Sequence, residues 1–204
     1  MSDLKIFFDV ETSDAWNFKA ANDDECQPRL VQLGAVVMDR PDHEVASISL
    51  IAKPEGWFIS DETSGIHGIT QEMAETYGLP SIVVLGVFSQ LARLCQERIA
   101  FNIDFDDRVV AREIDLLNKP NCSKDLKPFC VMKAMSPICK IPKPEYQRRY
   151  NRNDPYKWPS LQEAYQFAFH QDFDGAHSAI ADIRATAKLY WWLIMQPEQK
   201  EMLV

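Results

Sequence analysis

KIFFDVETSD, residues 5–14, is the stretch on which the fold of this chain turns. Its Ile, Phe and Val residues read as a buried β-strand, yet Asp9 and Glu11 sit inside it. Residues two apart on a strand project to the same side, so the two carboxylates point together. Burying an ionised carboxylate without a partner is costly, and no Lys or Arg follows within the next few residues to offset the pair. Two acids on one edge repel unless a proton or a cation lies between them. Hard divalent cations take such oxygens, Mg2+ in particular with few carboxylates plus water and substrate phosphate. The plain alternative is a strand end that has emerged into solvent.

The surrounding chain bounds the answer. Its 204 residues are 46% hydrophobic, with eleven Phe and five Trp, enough for one core, so a single domain over 1–204 is expected. No apolar run has the length of a bilayer span, and MSDLK begins no signal-peptide hydrophobic region, so no membrane partner is expected. The odd, irregular set Cys26, Cys95, Cys122, Cys130 and Cys139 suggests a reducing, cytoplasmic setting rather than a disulfide framework. Cys122, Cys130 and Cys139 form no Cys-x-x-Cys pair and have no His nearby, which argues against zinc. A net charge of −8 argues against a protein that coats nucleic acid electrostatically. Residues 133–157 nevertheless hold seven Lys or Arg against two acids. With several Pro and Tyr and no apolar period, this segment reads as an insertion or flap. There Arg148, Arg149 and Arg152 interleave with Tyr146, Tyr150 and Tyr156, a composition suited to phosphate contact and base stacking, or equally to a solvated loop.

Strands are expected over 4–10, 30–39, 45–53, 98–102 and 128–132, the second and third joined by a hairpin at RPDHE, and a loop over 13–29. Helices are expected over 81–98, 106–119, 160–169 and 178–195, the last with Ile180, Ile183, Ala187, Tyr190, Trp191 and Ile194 as its core face. Strands followed by alternating helices and short strands point to an α/β fold, a mixed sheet covered by helices.

Two further segments carry acids. AFNIDFDDR (100–108) is an apolar strand running into Asp106 and Asp107, either of which could cap the next helix. In DGAHSAIAD (174–182), His177 and Asp182 are five residues apart, so within a regular helix they would diverge by roughly 140°. Both face one site only if His177 lies on the loop before the helix, an arrangement that Gly175 and a Ser178 cap permit.

A strand Asp-x-Glu, then Asn-x-x-Phe-Asp at a strand-to-helix junction, then His-x-x-x-x-Asp opening the last helix together resemble the DEDDh exonucleases. These ribonuclease H-like enzymes include the proofreading epsilon subunit of bacterial replicative polymerase. The likeness runs from Ile6 to Leu193 and includes QLGAVV (32–37), GIHGIT (65–70) and WPSLQEAYQ (158–166). TSDAW after the first motif departs from the family's Thr-Thr-Gly, and 133–157 is longer than a minimal member requires.

The resemblance implies a ribonuclease H-like fold with a central mixed five-stranded sheet flanked by helices. It implies that Asp9, Glu11, Asp106 and Asp182 hold two Mg2+ ions, with Mn2+ as a substitute, and that His177 is the general base. The expected activity is 3′→5′ hydrolysis of single-stranded DNA to nucleoside 5′-monophosphates. The alternatives are a 3′→5′ exoribonuclease and a catalytically silent nucleic-acid-binding module. Thr12, Ile66, His67, Asn102 and Phe105 become candidate substrate contacts beside the three arginines, with Phe105 weighed also as core. QPEQKEMLV closes the sequence soon after the last helix, from which a stand-alone enzyme is expected.

Overall fold

The computed structural model describes residues 3–144, 155–173 and 178–196. One five-stranded sheet in the order β3-β2-β1-β4-β5 forms its centre. The strands are β1 (Lys5–Thr12), β2 (Leu30–Arg40), β3 (His43–Ile51), β4 (Glu97–Ala100) and β5 (Lys127–Cys130). β1 pairs antiparallel with β2 and parallel with β4, while β2–β3 is an antiparallel hairpin and β4–β5 is parallel. The sheet is therefore mixed, as expected. β1 lies at its centre, and both of its faces are covered.

Alternation along β1 feeds two cores. Ile6, Phe8 and Val10 face a cluster with Leu33, Val84, Phe88, Val109 and Val110. Phe7 faces the other side, among Val36, Met135, Tyr165, Ile183, Leu189 and Tyr190. Asp9 and Glu11 fall on the Phe7 side by the same alternation.

Among the described residues seven helices surround the sheet: α1 (Asp61–His67), α2 (Gln71–Tyr77), α3 (Ser81–Ala92), α4 (Ile103–Leu116), α5 (Val131–Cys139), α6 (Leu161–Phe169) and α7 (Ala179–Met195). Several boundaries differ from expectation for local reasons. α3 stops at Ala92, so Cys95 lies in the turn after it, and Glu97 and Arg98 join β4. α4 begins at Ile103, three residues early, which moves Asp106 inside the first turn and away from a capping position. α5 was not foreseen. Its buried Val131, Met132 and Met135 straddle the point where strand and basic segment were divided, and Pro137 sits within it. The first part of the 133–157 stretch is thus helical and packed, while residues 145–154 fall outside the described residues.

GIHGIT proves to be a junction between helices. α1 ends at His67, Gly68 takes the left-handed conformation (φ 74°), and Thr70 caps α2 by accepting from the Met73 N–H. α6 opens with a reciprocal capping box between Ser160 and Glu163. No helix among the described residues is long and apolar enough to cross a membrane.

Candidate active site

Asp9 sits opposite Gly34 in the β1–β2 register and Glu11 opposite Gln32, so the two carboxylates lie near the C-terminal end of β1. Gly34 explains what can approach them. A Cβ there would stand 2.6 Å from Ile183 Cδ1 and 3.2 Å from Ala179 Cβ, so only glycine lets the first turns of α7 settle onto the sheet. Asp182 lies in the first turn of α7, between those two contacts. QLGAVV stood out only as part of the family resemblance, with no physical cause for its glycine. The cause is this close approach.

Asp106 arrives from the other side. Its carboxylate, 3% exposed, accepts the Val10 backbone N–H (3.2 Å), which places it on the strand between Asp9 and Glu11. Burial pushes the Asp9 carboxyl well above the usual carboxylate range, and the charges of Asp106, Glu11 and Asp182 push it further. Burial, then Asp182, raises Glu11 from 4.5 to about 7. Asp106 is also raised well above its ordinary value: burial dominates, and the Val10 N–H opposes it. Asp9 is thus within electrostatic reach of the other three acids. Among the described residues no three His, Cys, Asp or Glu groups already form a ligand cage. Like-charged carboxylates repel until a cation or proton joins them. The donor set itself, carboxylate oxygens with raised proton affinity on a central strand, fits a hard divalent cation.

The other candidates divide. Thr12 is buried and donates from Oγ1 to the Asp14 carbonyl (2.8 Å). Ser13 ties the next segment in: its carbonyl accepts from the Ser60 N–H (2.9 Å) and the Thr63 hydroxyl (3.0 Å), fixing α1 beside the end of β1. Ile66 on α1 is 54% exposed. His67 Nδ1 accepts the Ile69 N–H (3.1 Å), which leaves the ring proton on Nε2 in the neutral form. Burial lowers the His67 pKa, and the Thr12 backbone nearby partly offsets this. Asn102 is exposed at the start of α4 and makes no capping bond. Phe105 packs against the core, in line with the apolar reading. His177, Arg148, Arg149 and Arg152 lie outside the described residues. A cleft of about 530 Å3 beside α7, lined by Tyr165, Asp172, Ser178, Ala181, Arg184 and Lys188, contains none of the four acids.

Loop 13–29 also has an internal scaffold. The Gln27 side chain, 2% exposed, donates to the Asn17 and Ala21 carbonyls (both 2.9 Å) and accepts the Asn17 N–H (3.1 Å). At the loop's end Arg29 forks onto buried Glu113 on α4 (2.6 and 3.1 Å), which also accepts the Leu30 N–H (3.1 Å). The Arg29–Glu113 pair gave no sequence signal, because its partners lie eighty-four residues apart in the chain.

A family model for exonucleases, RNase_T, matches residues 6–190. The chain belongs to the RNase_T exonuclease family. Among solved structures, E. coli exonuclease I in complex with a dT13 oligonucleotide is similar at TM-score 0.75 and 19% identity, covering 98% of this chain and 43% of that one. A zinc-bound complex of E. coli exonuclease I with single-stranded DNA gives 0.74 and 18%, covering 100% and 43%. A product-bound exonuclease I gives 0.75 and 17%, covering 100% and 46%. These likenesses establish the ribonuclease H-like α/β fold of this RNase_T exonuclease. The chain spans less than half the length of the exonuclease I chains it matches. None of the curated proteins compared with it matches.

Proposed function

We propose that this chain is a 3′→5′ exonuclease that removes nucleoside 5′-monophosphates from the end of single-stranded DNA. In this reading Asp9, Glu11, Asp106 and Asp182 hold two divalent cations, Mg2+ with Mn2+ as a substitute. The observation that carries it is the delivery of buried Asp106 onto the Val10 N–H, among acids whose charges raise one another's pKa. Exonuclease I, whose complexes with a dT13 oligonucleotide and with a dA16 oligonucleotide share the fold, supports single-stranded DNA as the substrate class.

Two cations bound by these acids would supply positive charge to polarise the scissile phosphate and ease deprotonation of an attacking water. The chain's own part is to hold the oxygens still. A central strand fixes Asp9 and Glu11, a helix start pinned to β1 fixes Asp106, and the Gly34 contact seats Asp182. His177 accepts the proton of the attacking water at an imidazole nitrogen, a role for which histidine is the side chain suited near neutral pH. Ile66 offers an apolar face to the terminal base, and His67 a ring N–H beside the Thr12 backbone. Arg148, Arg149 and Arg152 meet backbone phosphates. The unit acts as one domain with the basic stretch as its flap, and its five free cysteines suit a reducing cytoplasm.

The test uses matched 5′-labelled DNA and RNA strands with Mg2+ or EDTA and His177→Ala as control. A DNA ladder shortening from the 3′ end only with Mg2+, and absent in the variant, supports the proposal. Shortening of RNA alone, or binding without cleavage, overturns it.

A further inference from the structure

Loop 13–29 and α4 enclose a second feature, distinct from the four acids. Between them lies a cleft of about 270 Å3 lined by Asn22, Asp23, Arg108, Arg112 and Asp115, close to the lower end of ligand-sized clefts. Arg112 is 7% exposed and donates from Nη2 to the Asp24 carbonyl (2.8 Å), yet its Nε and Nη1 meet no hydrogen-bond partner. Buried N–H groups on a cation call for acceptors, and a planar guanidinium fork matches phosphate oxygens.

Arg108 stands one turn earlier on the same helix. Its guanidinium lies 5.6 Å from the Trp16 ring centre and 5.8 Å from that of Phe18. Trp16 is buried and its indole N–H is also unpartnered, whereas Phe18 is 79% exposed, a large aromatic face beside a cation. Asp23 and Asp115 are exposed, so donors line the depth of the cleft and acceptors its rim. A ligand with phosphate oxygens at one end and amino groups at the other matches that polarity, and a nucleotide has both. Arg112 stands about 9 Å along the helix from Asp106 and roughly 120° around it, so a strand held at the acids reaches the cleft by passing around α4 with nucleotides further from its end. The Gln27 network holds the loop in place for this role.

We propose that this cleft is a second nucleotide subsite upstream of the cut, in which Arg112 and Arg108 take a backbone phosphate of a single strand and Phe18 stacks on an adjacent base. The proposal rests on the exonuclease reading, because a 3′ end seated at the four acids is what brings the rest of the strand here.

The experiment is fluorescence anisotropy on the full chain with labelled DNA strands from dinucleotide to decanucleotide, in Ca2+ and over a range of salt. Phe18→Ala, at an exposed position, weakens binding of the longer strands about tenfold and of the dinucleotide less. Arg108→Gln lowers the slope of log affinity against log salt by about 0.7, one phosphate contact on a single strand. Arg112→Lys keeps the buried charge but removes the fork, and it too flattens the rise of affinity with length. Variants that keep the wild-type length and salt dependence, or lose affinity equally at all lengths, overturn the subsite. A wild-type chain that binds no strand at any length overturns the exonuclease reading, and the subsite with it.

Discussion

Raising the pH should destabilise the metal-free protein, and Glu11 sets the scale. Its carboxyl titrates at about 7 in the folded chain against an ordinary 4.5. Below pH 4.5 it is protonated in both states and contributes its full share of stability. Between those values the folded state keeps a proton that the unfolded state has released, so that share is lost as pH rises through 7. The loss from Glu11 alone is about 3 kcal/mol. For a chain of this length it lowers the melting temperature by roughly 6–12 °C. Asp9 and Asp106 shift in the same direction, and His67, whose pKa is lowered, works in the opposite one. The assay is therefore a difference: melting curves of wild type and Glu11→Gln in EDTA from pH 5 to 8. Wild type falls relative to Glu11→Gln as pH rises, and saturating Mg2+ removes the difference in slope by neutralising the carboxylate. Parallel curves in EDTA would refute the reasoning, because Glu11 would then be an ordinary solvated acid.

Three further outcomes follow from the packing. Gly34→Ala places a methyl group 2.6 Å from Ile183 Cδ1 and should cost about 1–3 kcal/mol in urea unfolding, with Ile183→Val restoring part of the loss; an unchanged midpoint would mean that α7 is not held as described. Arg29→Ala strands Glu113, 1% exposed, as a buried charge and should cost about 3–5 kcal/mol by the same measurement; a loss under 1 kcal/mol would show water reaching Glu113. Asp106→Asn keeps an acceptor for the Val10 N–H while removing a charge. It should raise the EDTA melting temperature, lower the gain from Mg2+ and abolish nucleolytic turnover; an unchanged Mg2+ gain would take Asp106 out of the cation site.

Much of this architecture was legible because its signals were local. The Asp-x-Glu interruption of an apolar run marked β1, β-rich runs on either side of RPDHE marked β2 and β3, and the helical spacing of Ile183, Ala187 and Tyr190 marked the buried side of α7. α5 escaped because its apolar positions, Val131, Met132 and Met135, were divided between a strand and a basic tract, with Pro137 arguing for irregularity. The residues alone left Asp106 open, and only the family resemblance put it with the other acids. A capping acid and an acid reaching a strand ninety-six residues away look alike until the helix start is known. Gly34 and the Arg29–Glu113 pair depend wholly on partners distant in sequence. Arg112 was invisible for the same reason, since only the fold shows that its guanidinium is buried with two nitrogens unmet.

The most direct test of the central claim is anomalous diffraction from crystals soaked in Mn2+ with a nucleoside 5′-monophosphate. Two peaks enclosed by the carboxylates of Asp9, Glu11, Asp106 and Asp182, touching the phosphate, are the predicted result. Full occupancy of Mn2+ elsewhere on the molecule, with none among these four side chains, would contradict it.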